Sequence, residues 1–144
     1  MLPNSRNEAY NYLEERFGVK KRDIEPLELR KINGDFWLAP AETELQTETE
    51  GIRAIRSSGH GFKPTTYFLQ LLGDRISRNR VELSEEEFKD ILARKMIDKT
   101  DFEKGYVAID YEGDIIGCGY FKNDLVSTRI SKARTKHLTD ILDM

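Results

Sequence analysis

The segment 105–134 constrains the fold of this chain most, because apolar and polar residues alternate along three short runs within it. The runs cover residues 106–110, 115–121 and 125–130, and they are separated by Glu112-Gly113-Asp114 and Lys122-Asn123-Asp124. Alternation with a period of two is typical of half-buried strands, and such polar clusters are typical of tight turns. The segment therefore predicts a three-stranded antiparallel meander, followed by a basic tail.

Two segments carry an excess of basic residues, although the whole chain has a formal net charge of −3. Six cations accompany one acid between residues 51 and 80, and five accompany one acid between residues 122 and 136. The candidate contacts for a polyanion in these two basic blocks are Arg53, Arg56, Lys63, Arg75, Arg78, Arg80, Arg129, Lys132 and Arg134. Arginine suits phosphate contact and stacking on bases. The alternative is that both blocks are simply solvated faces.

The N-terminal half predicts a mixture of helices and strands. A helix is expected over residues 4–17, where Ala9, Leu13 and Phe17 lie at helical spacing ahead of Gly18. Asn33-Gly34 between the runs 27–32 and 35–39 predicts a hairpin. Trp37 in its second strand is interpreted as a core residue, with base stacking as the alternative.

Further elements follow from local signals. Residues 52–57 predict a strand with imperfect alternation, and a largely buried helix is expected to run from Thr65 or Thr66 to Gly73. Ser84 and Glu87 form a capping box that opens another helix. The chain thus belongs to the α+β class, and we expect a boundary at the acidic joint 98–103, between segments 1–98 and 99–144. The alternative is that these two segments pack as one unit.

The candidate catalytic residues are few. His60, between Gly59 and Gly61, is interpreted as part of a turn, with a phosphate-contacting turn or a general base as alternatives. Cys118 is interpreted as a small buried hydrophobe rather than a reactive thiol. Gly117 and Gly119 predict close approach of another backbone or a bend that closes a small barrel. We expect no metal and no cofactor.

The expected cellular location follows from sequence features that the chain lacks. No apolar stretch reaches the roughly 20 residues that span a bilayer, and the N-terminus lacks a signal-peptide layout. A single cysteine fits a reducing compartment. We therefore expect a cytoplasmic protein without membrane association.

Several short motifs resemble those of a known RNA-binding family. They are Lys104-Gly105-Tyr106-Val107-Ala108-Ile109, Gly113-Asp114-Ile115-Ile116-Gly117-Cys118-Gly119 and Arg129-Ile130-Ser131-Lys132-Ala133-Arg134 in the meander. They resemble a PUA domain, a small RNA-binding β-barrel. The segments Gly51-Ile52-Arg53, Gly61-Phe62-Lys63-Pro64-Thr65-Thr66 and Val81-Glu82-Leu83-Ser84 resemble the pre-PUA region of Sun/NOP-type RNA cytosine methyltransferases and of small ribosome-biogenesis factors.

This resemblance implies a pre-PUA-like α/β segment followed by a PUA-like β-barrel that binds structured tRNA or rRNA without catalysis of its own. The implied partners are that RNA and a separate RNA-modifying enzyme. The two basic blocks are then expected to share one surface. The alternative is a protein-interaction subunit that docks such an enzyme or a ribosomal protein, which exposure of Trp37, Tyr106 or Tyr120 would support.

Overall fold

The computed structural model describes residues 5–40, 51–58 and 61–142. Helices and strands are mixed along the chain and one sheet is curled into a half-barrel, so the predicted α+β class is confirmed. The chain divides into two compact units, Met1–Arg78 and Asn79–Met144.

The first unit contains two helices and a four-stranded sheet. Its elements are α1 (Arg6–Phe17), β1 (Leu27–Ile32), β2 (Asp35–Pro40), β3 (Ile52–Ser58), β4 (Gly61–Pro64) and α2 (Thr66–Leu72), with 3₁₀ turns at Lys21–Asp23 and Gly73–Arg75. The strands are ordered β1-β2-β3-β4, and each pairs antiparallel with the next. The predicted first helix, hairpin and third strand are confirmed.

Aromatic rings join one face of this sheet to α1. The ring centroid of Phe62 on β4 lies 5.3 Å from that of Tyr12 on α1 and 5.6 Å from that of Phe36 on β2. The backbone N–H of Leu29 donates to Tyr10 Oη over 2.9 Å, which ties α1 to β1. The core of the first unit therefore lies on the Phe36 face of the sheet.

The helix α2 is only half buried, which corrects the expectation of a largely buried helix. Phe68, Leu69 and Leu72 are buried, but Tyr67 is 75 % exposed and Leu71 is 50 % exposed. A helix that lies on the surface of a unit buries one face only. The apolar run from Tyr67 to Leu72 thus contributes residues to both faces.

The second unit is built on a five-stranded sheet. Its elements are β5 (Arg80–Leu83), α3 (Glu85–Leu92), β6 (Ile97–Asp98), β7 (Gly105–Tyr111), β8 (Asp114–Lys122), β9 (Leu125–Thr128) and α4 (Lys132–Leu142). The strand order is β5-β7-β8-β9-β6, with β5 parallel to β7 and the other pairs antiparallel. The predicted meander is confirmed as β7-β8-β9.

A side chain links the two edges of this sheet. Lys99 follows the edge strand β6, and its Nζ donates to the backbone oxygen of Glu82 on the other edge strand, β5, over 3.1 Å. The same Nζ lies 3.0 Å from Glu87 Oε2 on α3. Glu87 also completes the predicted capping box, because its Oε1 accepts the N–H of Ser84 over 2.9 Å. Lys99 therefore holds α3 against both edges of the curled sheet.

The division between the units lies at a different place from the boundary expected at residues 98–103. The strand β5 pairs with β7 over four residues, and β6 pairs with β9. Both strands precede residue 99, yet they belong to the same sheet as the meander. The expected boundary therefore falls inside the five-stranded sheet, and the compact unit begins at Asn79.

The close approach predicted at the glycines is observed at Gly119. A Cβ atom at this position would lie 2.9 Å from Ile109 Cδ1 on β7 and 3.0 Å from the backbone oxygen of Ser127 on β9. Both distances are shorter than an ordinary van der Waals contact. Glycine is required here because the neighbouring strands fill the space of a side chain.

The C-terminal basic residues form the helix α4, which corrects the expectation of a basic tail. Ser131 caps this helix, because its Oγ accepts the N–H of Arg134 over 3.1 Å. Arg94 Nη1 donates to the backbone oxygen of Ile130 over 2.9 Å, just before the helix begins. Leu138 packs against the apolar core of the unit. The basic segment is therefore an ordered helix fixed to the second unit.

Candidate nucleic-acid interface

A β-bulge in β3 sets the direction of the first basic side chain. Phe36 on β2 is paired with Ile55, but the next residue, Trp37, is paired with Arg53, which leaves Ala54 without a partner on β2. One extra residue on one strand shifts the alternation of side chains by one position. Arg53 therefore lies on the face of Trp37, opposite to the face that carries Phe36 and Ile55.

Arg56 and Lys63 join Arg53 on this face. Arg56 follows Ile55 directly and so points away from the Ile55 face. Lys63 on β4 is the register partner of Arg56, and directly paired residues share a face. We call Arg53, Arg56 and Lys63 the cationic face. The bulge is also the structural reason for the imperfect alternation along residues 52–57.

Thr65 completes the hydrogen bonding of the bulge. The Oγ1 of Thr65 donates to the backbone oxygen of Arg53 over 2.8 Å, and its N–H donates to that of Ala54 over 2.9 Å. The same Oγ1 accepts the N–H of Phe68 over 3.2 Å, which caps α2. A single residue thus satisfies the carbonyls that the bulge exposes and also starts the next helix.

The side chain of Arg53 packs against the ring of Trp37. Trp37 is 8 % exposed, so its predicted core position is confirmed, and the Cζ atom of Arg53 lies 5.2 Å from the centroid of its ring. Arg53 Nε lies 3.6 Å from Asp35 Oδ2, and the other Asp35 oxygen accepts the N–H of Ser57. The sequence alone does not pair Trp37 with Arg53, because a bulge decides which residues are opposite one another.

The remaining cations of the first basic block have different surroundings. Arg75 and Arg78 are exposed, and the N–H of Arg78 donates to the backbone oxygen of Phe17. Arg80 belongs to the second unit and is largely buried. Its Nε donates to Asp110 Oδ2 over 2.7 Å. The side chain of Arg80 is therefore engaged within the second unit, whereas Arg75 and Arg78 are exposed in the first unit outside its four-stranded sheet.

The second basic block begins at Arg129, whose side chain covers an aromatic ring. The Cζ atom of Arg129 lies 5.4 Å from the ring centroid of Tyr120, and its Nη1 donates to Ser127 Oγ over 3.1 Å. The ring of Tyr120 meets that of Tyr106 edge-on at 5.0 Å between centroids. Arg129 thus extends a row of side chains that crosses β7, β8 and β9.

Lys132 and Arg134 lie in the first turn of α4, and both are exposed. Residues two positions apart on a helix are separated by about 200° around the axis, so their side chains point in nearly opposite directions. Lys136, four residues after Lys132, lies on the side of Lys132. The helix therefore divides these cations between two sides, which a pattern of basic residues alone does not reveal.

The two basic blocks are distributed over two units of the structure. Arg53, Arg56 and Lys63 are brought together within the first unit, whereas Arg129, Lys132 and Arg134 follow one another at the end of the second sheet. The expectation that both blocks share one surface stays a prediction.

The structure describes one of the two candidate catalytic residues. His60 lies outside the described residues. Cys118 is 1 % exposed, and its Sγ lies 3.6 Å from the backbone oxygen of Gly119, so the interpretation as a buried small residue agrees with the structure. Within residues 5–40, 51–58 and 61–142, no three His, Cys, Asp or Glu side chains are grouped as metal ligands would be.

The comparisons with known proteins give a distant relative. The chain is similar to ribosomal RNA small subunit methyltransferase F of Psychromonas ingrahamii, with 29 % identity over 121 residues. The match covers 76 % of this chain but only 24 % of the methyltransferase, so the chain spans about a quarter of the relative's length. No family model matches the sequence. None of the described helices has the length and apolar character needed to cross a membrane.

This likeness agrees with the resemblance of the motifs to RNA cytosine methyltransferases of the Sun type. The identification of a PUA domain stays a prediction.

Proposed function

We propose that this protein binds structured RNA, either tRNA or rRNA, and acts in RNA modification or ribosome biogenesis without catalysis of its own. The distant relationship to a protein named as an rRNA methyltransferase supports a role connected with RNA. We assign the chemical step to a separate enzyme, as the resemblance of the motifs to RNA-binding modules implies.

The observation that carries this proposal is the cationic face. Arg56 is exposed and directly opposite Lys63, so two cations project from neighbouring strands at nearly the same point. Neighbouring strands are about 4.8 Å apart, a separation at which two cations reach adjacent phosphate oxygens of one RNA backbone. Arg53 adds a third cation with a planar group that suits phosphates and bases.

Charge reversal tests the proposal. We expect the double variant Arg56→Glu, Lys63→Glu to bind unfractionated tRNA and rRNA hairpins at least about tenfold more weakly than the original protein. The slope of log affinity against log salt should also decrease in magnitude, by about 0.7 to 0.9 for each phosphate that the variant no longer neutralises. Fluorescence anisotropy at several salt concentrations measures both quantities.

A matched control separates a specific face from total charge. Arg6 and Arg22 are exposed cations of the same unit outside the basic blocks, and Arg6→Glu, Arg22→Glu changes the net charge by the same amount. We expect this control to retain most of the affinity. Equal weakening in both variants would contradict a role for the cationic face, and absence of RNA binding by the original protein would contradict the proposed function.

The alternative of a protein-docking subunit depends on exposed aromatic residues. Trp37 and Tyr106 are each 8 % exposed, and Tyr120 is half buried beneath Arg129. These three residues therefore do not form the exposed apolar patch that would favour docking. RNA binding remains the function that we propose first.

A further inference from the structure

We infer that Arg53 is a stacking platform for an unpaired nucleobase, so that the cationic face selects RNA with a bulged or looped-out base over fully paired RNA. The inference rests on the proposed function and names the RNA feature that this face recognises.

The guanidinium group of Arg53 lies over the ring of Trp37. The Cζ atom lies 5.2 Å from the ring centroid. Nε is buried without a hydrogen-bond partner among the described residues, and Asp35 Oδ2 is 3.6 Å away. Asp35 therefore attracts the charge without fixing the plane by a hydrogen bond to Nε. The ring of Trp37 is then the contact that restricts the plane of the Arg53 guanidinium group.

Arg53, rather than Trp37, is the layer available to a ligand. Only 8 % of Trp37 is exposed, whereas 38 % of the Arg53 side chain is exposed. Arginine stacks on aromatic faces and also on bases, so one guanidinium can lie between a protein ring and an RNA base. Because the ring already restricts the side chain, little rotamer freedom is lost when a base binds.

The neighbouring cations lie where the adjoining phosphates would be. Arg56 lies three residues along β3 from Arg53, which is about 10 Å for a regular strand and less across a bulge. Lys63 adjoins Arg56 on β4. A base on Arg53 would therefore have cations to one side, where the phosphates of the adjoining nucleotides can lie. Paired bases are enclosed within a helix, so a duplex can reach the cations but cannot stack on Arg53.

Two fluorescein-labelled RNA hairpins test the inference directly. Both are closed by the same minimal loop, whose bases stack within the loop, and they are identical except that one carries a single bulged 2-aminopurine in its stem. We expect the full-length protein to bind the bulged hairpin about tenfold more tightly than the paired hairpin, which is within the range measured for single base-stacking contacts. We also expect the 2-aminopurine fluorescence to be quenched on binding, because stacking quenches it.

The variant Arg53→Lys keeps the charge but removes the planar group. We expect it to bind both hairpins equally, with the salt dependence of the original protein, and to leave 2-aminopurine fluorescence unquenched. The matched control is Arg22→Lys, at an exposed arginine of the same unit outside the cationic face, and it should keep the preference for the bulged hairpin. Thermal unfolding of both variants verifies that they are folded.

Three results would overturn the inference. They are equal affinity of the original protein for both hairpins, no quenching on binding, or a full preference for the bulge in Arg53→Lys. The quenching experiment needs no variant, so the inference stays testable even if Arg53→Lys fails to fold. Salt-dependent binding of both hairpins without preference would contradict the inference but agree with the proposed function. Absence of binding to either hairpin would contradict both the inference and the proposed function.

Discussion

At the scale of single residues, the nearest acceptor decides what a basic side chain can do. Arg80 Nε lies 2.7 Å from Asp110 Oδ2, and its Nη2 donates to the backbone oxygen of Gly113 over 3.2 Å. These bonds hold the turn between β7 and β8. Arg56 is exposed on a sheet face instead. Two arginines of the same basic block therefore have different local environments, and the sequence pattern does not distinguish them.

Glu87 gives a prediction about pH at the same scale. Burial alone would raise the pKa of its carboxyl group, but hydrogen bonds from Ser84 and the ammonium group of Lys99 outweigh burial and hold the pKa below its ordinary value of 4.5. A lowered folded-state pKa means that ionised Glu87 stabilises the fold fully above about pH 4.5, and that this contribution is lost as the pH falls through the folded-state pKa.

We therefore expect Glu87→Gln to lower the free energy of unfolding at pH 7 by about 1 kcal/mol, and to unfold like the original protein at a pH below the folded-state pKa. Glutamine can still accept the Ser84 N–H, so the difference isolates the ion pair with Lys99. Glu85→Gln is the control, because Glu85 lies in the same helical turn but its pair with Lys89 is exposed. Urea unfolding at several pH values measures the difference, and an equal, pH-independent decrease in both variants would contradict the role of the ion pair.

At the scale of elements, the sequence predicts correctly the turns and helix caps, because these depend on residues that are close together in the chain. Asn33 and Gly34 have φ values of 53° and 88°, so their tendency towards positive φ forms the hairpin turn that the sequence indicates. Ser84 and Glu87 likewise bond each other three residues apart. The bulge at Ala54 depends on how β3 meets β2, and such cross-strand register is not encoded in β3 alone.

The other differences from expectation have similar causes. The parallel pairing of β5 with β7 joins residues almost thirty positions apart, so the acidic joint at residues 98–103 did not mark the end of a unit. The sequence contains a signal for the helix α4, because Ser131 is a suitable N-cap residue and Thr135 and Leu138 have helical spacing. Its high content of basic residues concealed this pattern.

Thr65 provides the test at this scale, since it joins the bulge to α2. We expect Thr65→Val to lower the free energy of unfolding by about 1–2 kcal/mol, because the backbone oxygen of Arg53 loses its donor and α2 loses its cap. Thr65→Ser keeps the hydroxyl group and should retain most of the stability. If chemical unfolding showed full stability for Thr65→Val and a decrease for Thr65→Ser, the methyl group rather than the hydroxyl group would matter.

At the scale of the whole molecule, charge is segregated although the total is small. Five cations occur between residues 122 and 136, and the first turn of α3 carries Glu85, Glu86 and Glu87. A polyanion is attracted to the first segment and repelled by the second. A net charge of −3 is thus compatible with RNA binding through the basic blocks, because the local distribution of charge governs association.

Additive effects on RNA binding are expected when both basic blocks are altered. If both bind one RNA, Lys132→Glu, Arg134→Glu should weaken binding as Arg56→Glu, Lys63→Glu does. In each pair the salt slope should decrease by about 0.7 to 0.9 for every phosphate that is no longer neutralised. The quadruple variant should show the sum of the two decreases, since distant sites on one ligand contribute almost additively.

Binding of one hairpin per protein, measured by calorimetry, should accompany this additivity. The control is Lys89→Glu, Lys95→Glu, which reverses two exposed cations of α3 and its end, outside both blocks. An unchanged salt slope in Lys132→Glu, Arg134→Glu would restrict RNA binding to the first unit. In that case the row of side chains from Tyr106 through Tyr120 to Arg129 would serve to fix the meander to the start of α4 rather than to bind RNA.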